Sequence, residues 1–321
     1  MRRLMHVGLC VAILAGAAYG QYEREAGKII VRNGLMPAAA GSDKVAFLRV
    51  DEKIPGNPIE LFMKDLKTGE EKRLMPGYNF NDLPTYTYAI SPDGTEMALQ
   101  NKVAGCWELM IYKVGARSGK QVSNLVQYRE DLPKDALEQL GMDASDLVSV
   151  ADLSWSPSGK RLIFTLMRPG KASVWWLDLA TGRTRQATED LVGYYPSFSP
   201  DDDRFCYTEA VVKEGITTDE DLVLRSITTG DADTITTARD HEFNGQISPD
   251  GKYVLYCRKV QNTNNIYVMN LATREARAIT HSTNDRHCAA PRWSSDARKI
   301  YFQGNNFTTQ PLIFEREFGP F

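Results

Sequence analysis

The chain has 321 residues, of which 42% are hydrophobic, 10% aromatic and 25% charged, the composition of a globular protein with enough apolar residues for a core. Its 38 Lys and Arg residues against 41 Asp and Glu residues give a net charge of −3. Electrostatic binding of nucleic acid needs a basic face, so the composition argues against that function.

Residues 1–20 predict a secretory signal peptide. Arg2 and Arg3 precede an apolar stretch, Val7–Ala17, and small residues follow; this is the order of a cleavable leader, and the stretch is too short to span a membrane. Cys10 suggests a lipoprotein as the alternative, but its place inside the apolar stretch disfavours that interpretation. We therefore expect an exported protein, periplasmic or secreted, that does not span the membrane.

A short sequence motif recurs along residues 21–321. It consists of an apolar or aromatic residue, then Ser-Pro-Asp-Gly or an imperfect copy of it, then an apolar strand. The copies are Ala40–Asp43 (the faintest), Ile90–Gly94, Trp155–Gly159, Phe198–Asp202, Ile247–Gly251 and Trp293–Ala297. Their serines stand 43 to 65 residues apart, which is the period of four-stranded propeller blades. Proline presets φ for a turn, and glycine supplies the position with φ > 0. The repeat predicts an all-β fold, a six-bladed β-propeller of four-stranded antiparallel blades.

One segment departs from the repeat, residues 129–150, and accounts for the longest spacing. Asp131 can cap a helix, Pro133 suits its first turn, and Gly141 can end it. The apolar residues between them share one face, so we expect a short amphipathic helix on the propeller rim. A helix that covers apolar surface at a blade junction is favoured over one that binds a partner or forms a lid.

The fifth blade carries the clearest strand pattern. After the Ser248 turn, Lys252–Cys257 predicts the second strand, Asn262–Asn265 a polar loop, Ile266–Leu271 the third strand and Ala276–Thr280 the outer strand. The turn before the outer strand recurs in other blades as Thr-Gly or Ser-Gly. This order of strands serves as the template for the remaining blades.

The sixth blade has only three strands of its own, at Pro291–Trp293, Lys299–Phe302 and Leu312–Glu315. At the other end of the mature chain, Ala26–Val31 has the turn-plus-strand pattern that follows every third strand elsewhere. We predict that this N-terminal strand completes the last blade, because ring closure pairs backbone groups that an open edge would leave unpaired.

These turns resemble the TolB-type propeller repeat, whose blades open with an aromatic residue followed by Ser-Pro-Asp-Gly-Lys. The pattern is best kept in Trp155–Lys160, Phe198–Asp202 and Ile247–Lys252, and the resemblance covers about residues 26–318. It implies an exported propeller that binds peptides or proteins at the mouth of its central channel.

Signatures of catalysis are missing from the sequence. It contains no Gly-x-Ser-x-Gly elbow, P-loop, His-Glu-x-x-His pair, dinucleotide-binding glycine pattern or calcium loop. The acidic run Asp201–Asp203 falls on a blade turn, where solvated carboxylates are the ordinary case. The aromatic residues before the turns, Trp155, Phe198 and Trp293, are assigned to packing within the blades. The sequence therefore favours a non-catalytic role that needs no cofactor.

Two histidines occupy equivalent places in neighbouring blades. His241 and His287 each stand seven residues before a turn serine, where a blade enters its inner strand beside the channel. We therefore expect His241, Glu242 and His287 to approach one mouth of the channel. Two imidazoles and a carboxylate can bind a divalent metal such as zinc or manganese. Polar side chains that only bond blade connections remain the alternative.

The equivalent segments of other blades supply further candidates for ligand binding. Tyr86, Tyr194 and Tyr195 suit a recognition surface, because an aromatic ring offers apolar area and, in tyrosine, a hydroxyl. Asp152 lies in the corresponding segment of the third blade. Arg292, in the last inner strand, could bind an anion or pair with a nearby carboxylate.

Three functional hypotheses follow. The first is an exported, non-catalytic propeller that binds a peptide, a protein or a glycan of the cell envelope at its channel mouth. The second is a metal-dependent polysaccharide lyase or hydrolase, similar to the propeller-type oligogalacturonate lyases, which share the Ser-Pro-Asp-Gly repeat and bind metal through channel histidines. The third is a structural partner in an envelope assembly that makes its contacts through the rim helix.

Overall fold

The computed structural model describes residues 27–51, 54–128, 148–168, 171–190, 193–213, 216–237, 240–282, 286–306 and 311–319. The predicted signal peptide, residues 1–20, lies outside the described residues. So do residues 129–147, which hold most of the predicted insertion at 129–150. The last two residues of that insertion, Ser149 and Val150, already belong to a strand.

The described residues form six four-stranded antiparallel sheets. Blade 1 is β2 (Leu35–Ala39), β3 (Lys44–Val50), β4 (Ile59–Asp65) and β5 (Glu71–Arg73); blade 2 is β6 (Tyr88–Ile90), β7 (Glu96–Val103), β8 (Cys106–Lys113) and β9 (Lys120–Gln121). Blade 3 is β10 (Ser149–Trp155), β11 (Arg161–Arg168), β12 (Lys171–Asp178) and β13 (Thr184–Gln186); blade 4 is β14 (Gly193–Phe198), β15 (Arg204–Lys213), β16 (Ile216–Ser226) and β17 (Ala232–Thr234). Blade 5 is β18 (His241–Ile247), β19 (Tyr253–Val260), β20 (Thr263–Asn270) and β21 (Ala276–Ala278); blade 6 is β22 (Arg286–Trp293), β23 (Lys299–Asn306), β24 (Leu312–Glu317) and β1 (Lys28–Arg32).

The predicted six-bladed propeller is therefore confirmed. Single turns of 3-10 helix occur at Phe80–Asp82 and Leu125–Tyr128. Among the described residues, no helix has the length and apolar character needed to cross a membrane. We call the side of the disc that carries the Ser-Pro-Asp-Gly turns the turn face, and the opposite side, where the inner strands begin, the start face.

The repeated Ser and Asp hold the turn between the first two strands of a blade. Ser248 Oγ donates to Asp250 Oδ1 at 2.6 Å and accepts from the backbone N–H of Tyr253 at 2.9 Å. The same pair of bonds recurs at Ser91 and Ser294. Because these contacts join residues that are close in sequence, the turn motif can be recognised in the sequence. Its repetition therefore predicts the architecture.

The N-terminal strand closes the ring as predicted. β1 runs antiparallel to β24, with Lys28 opposite Glu315 and an irregularity between Ile29 and Val31. Val31 is buried, 2% exposed, and packs in a cluster with Ile313 of the last blade. The strand thus provides both backbone pairing and core packing.

The polar loop predicted at Asn262–Asn265 is shorter than expected. Val260 pairs directly with Thr263, so Thr263–Asn265 already belong to β20. Gln261 adopts φ of 56°, the left-handed conformation that a two-residue hairpin turn requires. Backbone pairing here outweighs the low strand preference of the asparagines.

Five of the six inner strands contain a residue in the left-handed conformation at one equivalent position. These residues, with φ between 50° and 57°, are Met36, Asp152, Tyr195, Asn244 and Ala290. The pairing register shifts at each of them, as it does at a β-bulge, which redirects side chains and often lies beside functional sites.

At three of these bulges, a side chain of the preceding blade accepts the backbone N–H. Met36 N–H donates to Gln303 Oε1 at 3.1 Å, which joins blade 1 to blade 6. Tyr195 N–H donates to Asp152 Oδ2 at 3.2 Å, and Asn244 N–H donates to Thr208 Oγ1 at 3.0 Å. The bulges therefore link neighbouring blades around the channel.

Candidate ligand-binding channel

A cavity of about 370 Å³ lies at the turn face of the channel, and every blade contributes to its wall. We call it the funnel; one lining residue from each blade in order is Met36, Tyr88, Trp155, Phe198, Ile247 and Trp293. Its lining residues come from the ends of the inner strands and from the turns that follow them. The funnel is therefore the turn-face end of the central channel.

The turn motif itself builds part of the funnel wall. The prolines of four turns, Pro92, Pro157, Pro200 and Pro249, line it. The indole of Trp293 is fixed by a hydrogen bond from Nε1 to the Gln246 carbonyl at 3.0 Å. Residues that sequence analysis assigned to packing are indeed buried, Trp155 at 8% and Trp293 at 6% exposure, yet they also line the funnel.

Arg292 is the only charged side chain among the described residues that line the funnel. Its Nη1 group donates to Asn244 Oδ1 at 3.2 Å and to the Pro291 carbonyl at 2.8 Å. Burial lowers the pKa of Arg292, while Asp152 and neighbouring groups oppose that shift through their charge. The guanidinium is thus a partly buried cation whose two hydrogen-bond acceptors are both neutral.

Asp152 lies near Arg292 without forming an ion pair with it. The Asp152 Oδ2 atom accepts hydrogen bonds from Thr165 Oγ1 at 3.0 Å and from the Tyr195 N–H at 3.2 Å. Burial raises the pKa of Asp152, and these two hydrogen bonds and the charge of Arg292 act in the opposite direction.

Asp152, Tyr195 and Asn244 form a polar band just below the funnel. Each precedes, along its own inner strand, the residues of that strand that line the funnel, so each lies closer to the start face. The structure thus brings together Asp152, Tyr195 and Arg292 from the predicted set. Asn244 was missed, although it stands at the same distance from its turn serine as Asp152 and Tyr195.

A second group lies at the start face. The hydroxyl of Tyr194 donates to Glu220, and His241 Nδ1 lies 3.2 Å from Glu220 Oε2. The rings of Tyr194 and Tyr195 pack edge to face with centroids 5.2 Å apart. Burial and the neighbouring Glu220 carboxylate raise the pKa of Tyr194. Glu220, on β16, was not identified from the sequence.

Glu242 faces away from His241, because neighbouring residues of a strand point to opposite sides. It is 1% exposed and pairs with Arg258, whose Nε lies 3.2 Å from Glu242 Oε1. Arg258 also pairs with Asp240 at 2.6 Å. Burial raises the pKa of Glu242 to about 8, so this carboxyl group is a perturbed acid in a blade interior.

The remaining predicted residues make contacts of their own. His287 Nδ1 accepts the Asn264 N–H at 3.2 Å. Tyr86 is 44% exposed and its hydroxyl lies 3.3 Å from Asn81 Oδ1. Within the described ranges, no three His, Cys, Asp or Glu side chains are grouped so as to bind a metal ion. The metal site therefore stays a prediction.

Comparison with known proteins places the fold but not the family, since no family model matches the chain. An alignment of 150 positions, which covers 42% of this chain and 22% of the other protein, shows 27% identity to dipeptidyl-peptidase 5 of Porphyromonas gingivalis. The chain thus matches less than a quarter of the length of this curated relative.

Among solved structures, TolB from Acinetobacter baumannii superposes with a TM-score of 0.62 at 15% identity, over 88% of this chain and 65% of that one. Oligogalacturonate lyase in complex with manganese gives a TM-score of 0.55 at 12% identity, over 90% of each chain. At such low identity these likenesses show the fold alone, which is that of the TolB-like propellers.

Proposed function

We propose that this protein is a binding module that holds a peptide segment in the funnel. The observation that carries the proposal is the funnel itself, an axial cavity of about 370 Å³ walled by all six blades. Its size lies in the range of ligand pockets, about 300–1,000 Å³, which are mostly apolar with a few placed polar groups. Pro and aromatic side chains supply the apolar wall, and Ser154, Gln246 and Arg292 supply polar groups.

Peptide is the ligand class that the wall suits best. Trp155 and Trp293 are too buried to offer a flat ring face to a sugar, whereas the Pro and aromatic side chains of the wall suit contact with the apolar side chains of a peptide. The sequence likeness to part of a dipeptidyl-peptidase also supports a propeller that handles peptides. Binding of a whole protein partner would then use an extended segment of that partner.

The proposal includes an exported location, periplasmic or secreted. It is supported by the signal-peptide pattern of residues 1–20. Export would place the funnel among envelope or extracellular peptides. Expression of the full chain fused to a reporter that is active only outside the cytoplasm tests this part, and a reporter that stays inactive would contradict it.

The test of binding uses a library of random decapeptides panned against the immobilised protein. Ala38→Trp and Ser154→Trp each place an indole in the funnel from a different blade. Val260→Trp is the matched control, because Val260 lies on an exposed hairpin, 39% accessible, outside the funnel. Circular dichroism and thermal unfolding establish that each variant is folded.

We expect peptides selected on the wild type to bind Val260→Trp equally well and to lose binding to both funnel variants. Equal recovery of peptides on folded funnel variants would place binding elsewhere. Failure to enrich any peptide on the wild type would also contradict the proposal.

A further inference from the structure

We propose that the funnel recognises the free C-terminal carboxylate of its peptide and that Arg292 binds this carboxylate. The inference rests on the function proposed above and specifies the end of the peptide that enters. The ligand class it names is a peptide with an apolar residue at its C-terminus.

The first argument is that some N–H donors of Arg292 are not used in hydrogen bonds to the described protein groups. A guanidinium carries five N–H donors in a planar fork. Both acceptors of Arg292, Asn244 Oδ1 and the Pro291 carbonyl, contact Nη1. Within the described part of the chain, this leaves Nε and Nη2 without a protein acceptor. These two atoms form the side of the guanidinium that binds a carboxylate through two parallel hydrogen bonds.

The second argument is the isolation of the charge. Of the residues that the structure describes, Arg292 is the only charged one in a wall built largely of Pro, Trp, Phe, Ile and Ser residues. Coulombic attraction and charge-assisted hydrogen bonds are stronger in such surroundings than in water. A ligand anion would therefore compensate for the partial burial of the guanidinium, for which no ion pair among the described residues compensates.

Asp152 is the carboxylate that could compete with the ligand. Its Oδ2 atom is already held by Thr165 and the Tyr195 N–H, and Asp152 does not line the funnel. It weakens the positive potential at Arg292 but occupies none of its donors. Removal of this negative charge should strengthen binding of an anion, an effect opposite in sign to removal of Arg292.

The third argument concerns depth and favours a chain end. Arg292 precedes Trp293 and the turn at Ser294 along β22, so it lies farther from the turn face than the upper wall of the funnel. A carboxylate at the end of a peptide reaches it with only one chain segment in the cavity. An internal Asp or Glu would bring main chain on both sides into a cavity near the lower size limit of ligand pockets.

Polar side chains of the wall complete the site. Ser154, Gln246 and Ser295 line the funnel and offer hydroxyl and amide groups to the last peptide bonds of the ligand. Capture of a terminal carboxylate is a recurring mode of peptide recognition. Here the charged anchor is a single arginine in the funnel wall.

The experiment uses four probes and measures fluorescence anisotropy with the purified full-length protein. Two are fluorescein-labelled octapeptide pools with Leu, Ile, Val or Phe at the last position, one with a free C-terminus and one amidated. A third pool is amidated and carries a single internal Asp. The fourth probe, unlabelled octanoate, competes against the first pool.

With the wild type, we expect the free-acid pool to bind at least about tenfold tighter than either amidated pool, as expected for a charge-assisted hydrogen-bond pair. Arg292→Gln should abolish this difference, and Arg292→Lys should restore only part of it because an ammonium lacks the planar fork. Asp152→Asn should tighten binding of the free-acid pool and leave the amidated pool unchanged.

The outcomes separate this inference from the function on which it rests. Equal binding of acid and amide pools, with both lost in Ser154→Trp, would overturn carboxylate recognition and leave peptide binding intact. Equal binding of the internal-Asp pool, or full competition by octanoate at the affinity of the peptides, would overturn the assignment to a peptide terminus. Absence of binding by every pool would contradict both proposals.

Should Arg292→Gln fail to fold, the ratio of acid to amide affinity in the wild type and in Asp152→Asn still tests recognition of the carboxylate.

Discussion

Asp152 and Arg292 influence each other across the channel from opposite blades, but they do not form an ion pair. Asp152 Oδ2 accepts a hydrogen bond from the Tyr195 N–H of blade 4 at 3.2 Å. Arg292 donates a hydrogen bond to Asn244 Oδ1 of blade 5 at 3.2 Å. Each charge is therefore positioned by a neighbouring bulge rather than by its counter-ion. This separation keeps a cation available to the funnel.

The left-handed backbone at Asn244 leads to the first prediction. Asn adopts φ of 57° here with little strain, whereas a β-branched residue in this region is a genuine outlier. We expect Asn244→Val to lower the free energy of unfolding by about 1–3 kcal/mol more than Asn244→Gly. Both variants lose the bond to Arg292, so their difference reports on the backbone. Urea denaturation measures it, and equal stability of the two would refute the strain argument.

Ring closure by β1 leads to the second prediction. Deletion of residues 21–33 removes the pairing of β1 with β24 and the burial of Ile30 and Val31. We expect a loss on the order of 5 kcal/mol, from hydrogen bonds of about 1 kcal/mol each and two apolar side chains. Differential scanning calorimetry should show a strongly lowered unfolding midpoint.

A point-mutation pair on the same strand provides the control. Val31→Ala removes buried methyl groups and should be clearly destabilising, whereas Lys28 is exposed and Lys28→Ala should change stability by less than about 0.5 kcal/mol. An unchanged unfolding midpoint after the deletion of residues 21–33 would show that ring closure by β1 does not stabilise the protein.

The architecture could be predicted because its determinants are local. The Ser248–Asp250–Tyr253 bonds span five residues, so the turn of each blade can be recognised in the sequence. The candidate site depends on contacts between blades, which the repeat does not encode. Glu220 lies on a long hairpin outside the repeat pattern, and its contact with His241 joins blades 4 and 5. His241 and Glu242 were grouped by proximity in sequence, although strand alternation separates their side chains.

The buried Glu242 leads to the third prediction, on pH dependence. Its pKa is raised from the model-compound value of 4.5 to about 8, so between these values the folded protein binds a proton that the unfolded chain has lost. Stability must then fall as pH rises from about 4.5 to 8, by at most about 1.4 kcal/mol per pH unit. Glu242→Gln should remove this dependence.

Chemical denaturation of wild type and Glu242→Gln at pH 5, 6, 7 and 8 measures the effect. The stability difference should move in favour of the variant as pH rises. Asp240→Asn is the control, because Asp240 also pairs with Arg258 but is more exposed. Parallel pH profiles for wild type and Glu242→Gln would show that this carboxyl group titrates at an ordinary pH in the folded state.

The metal-dependent lyase hypothesis leads to the fourth prediction. His287 Nδ1 accepts the Asn264 N–H, which leaves its proton on Nε2, and Glu242 pairs with Arg258 and points away from His241. A metal bound by His241, Glu242 and His287 together would therefore require His287 and Glu242 to rearrange. We therefore expect purified protein to contain no stoichiometric zinc or manganese by plasma mass spectrometry. Addition of Mn²⁺ or EDTA should leave the unfolding midpoint unchanged, because a ligand that binds only the folded state would raise it. Stoichiometric metal that disappears in a His241→Ala/His287→Ala variant would reverse this conclusion and favour the lyase, since these side chains would then rearrange into ligands on binding.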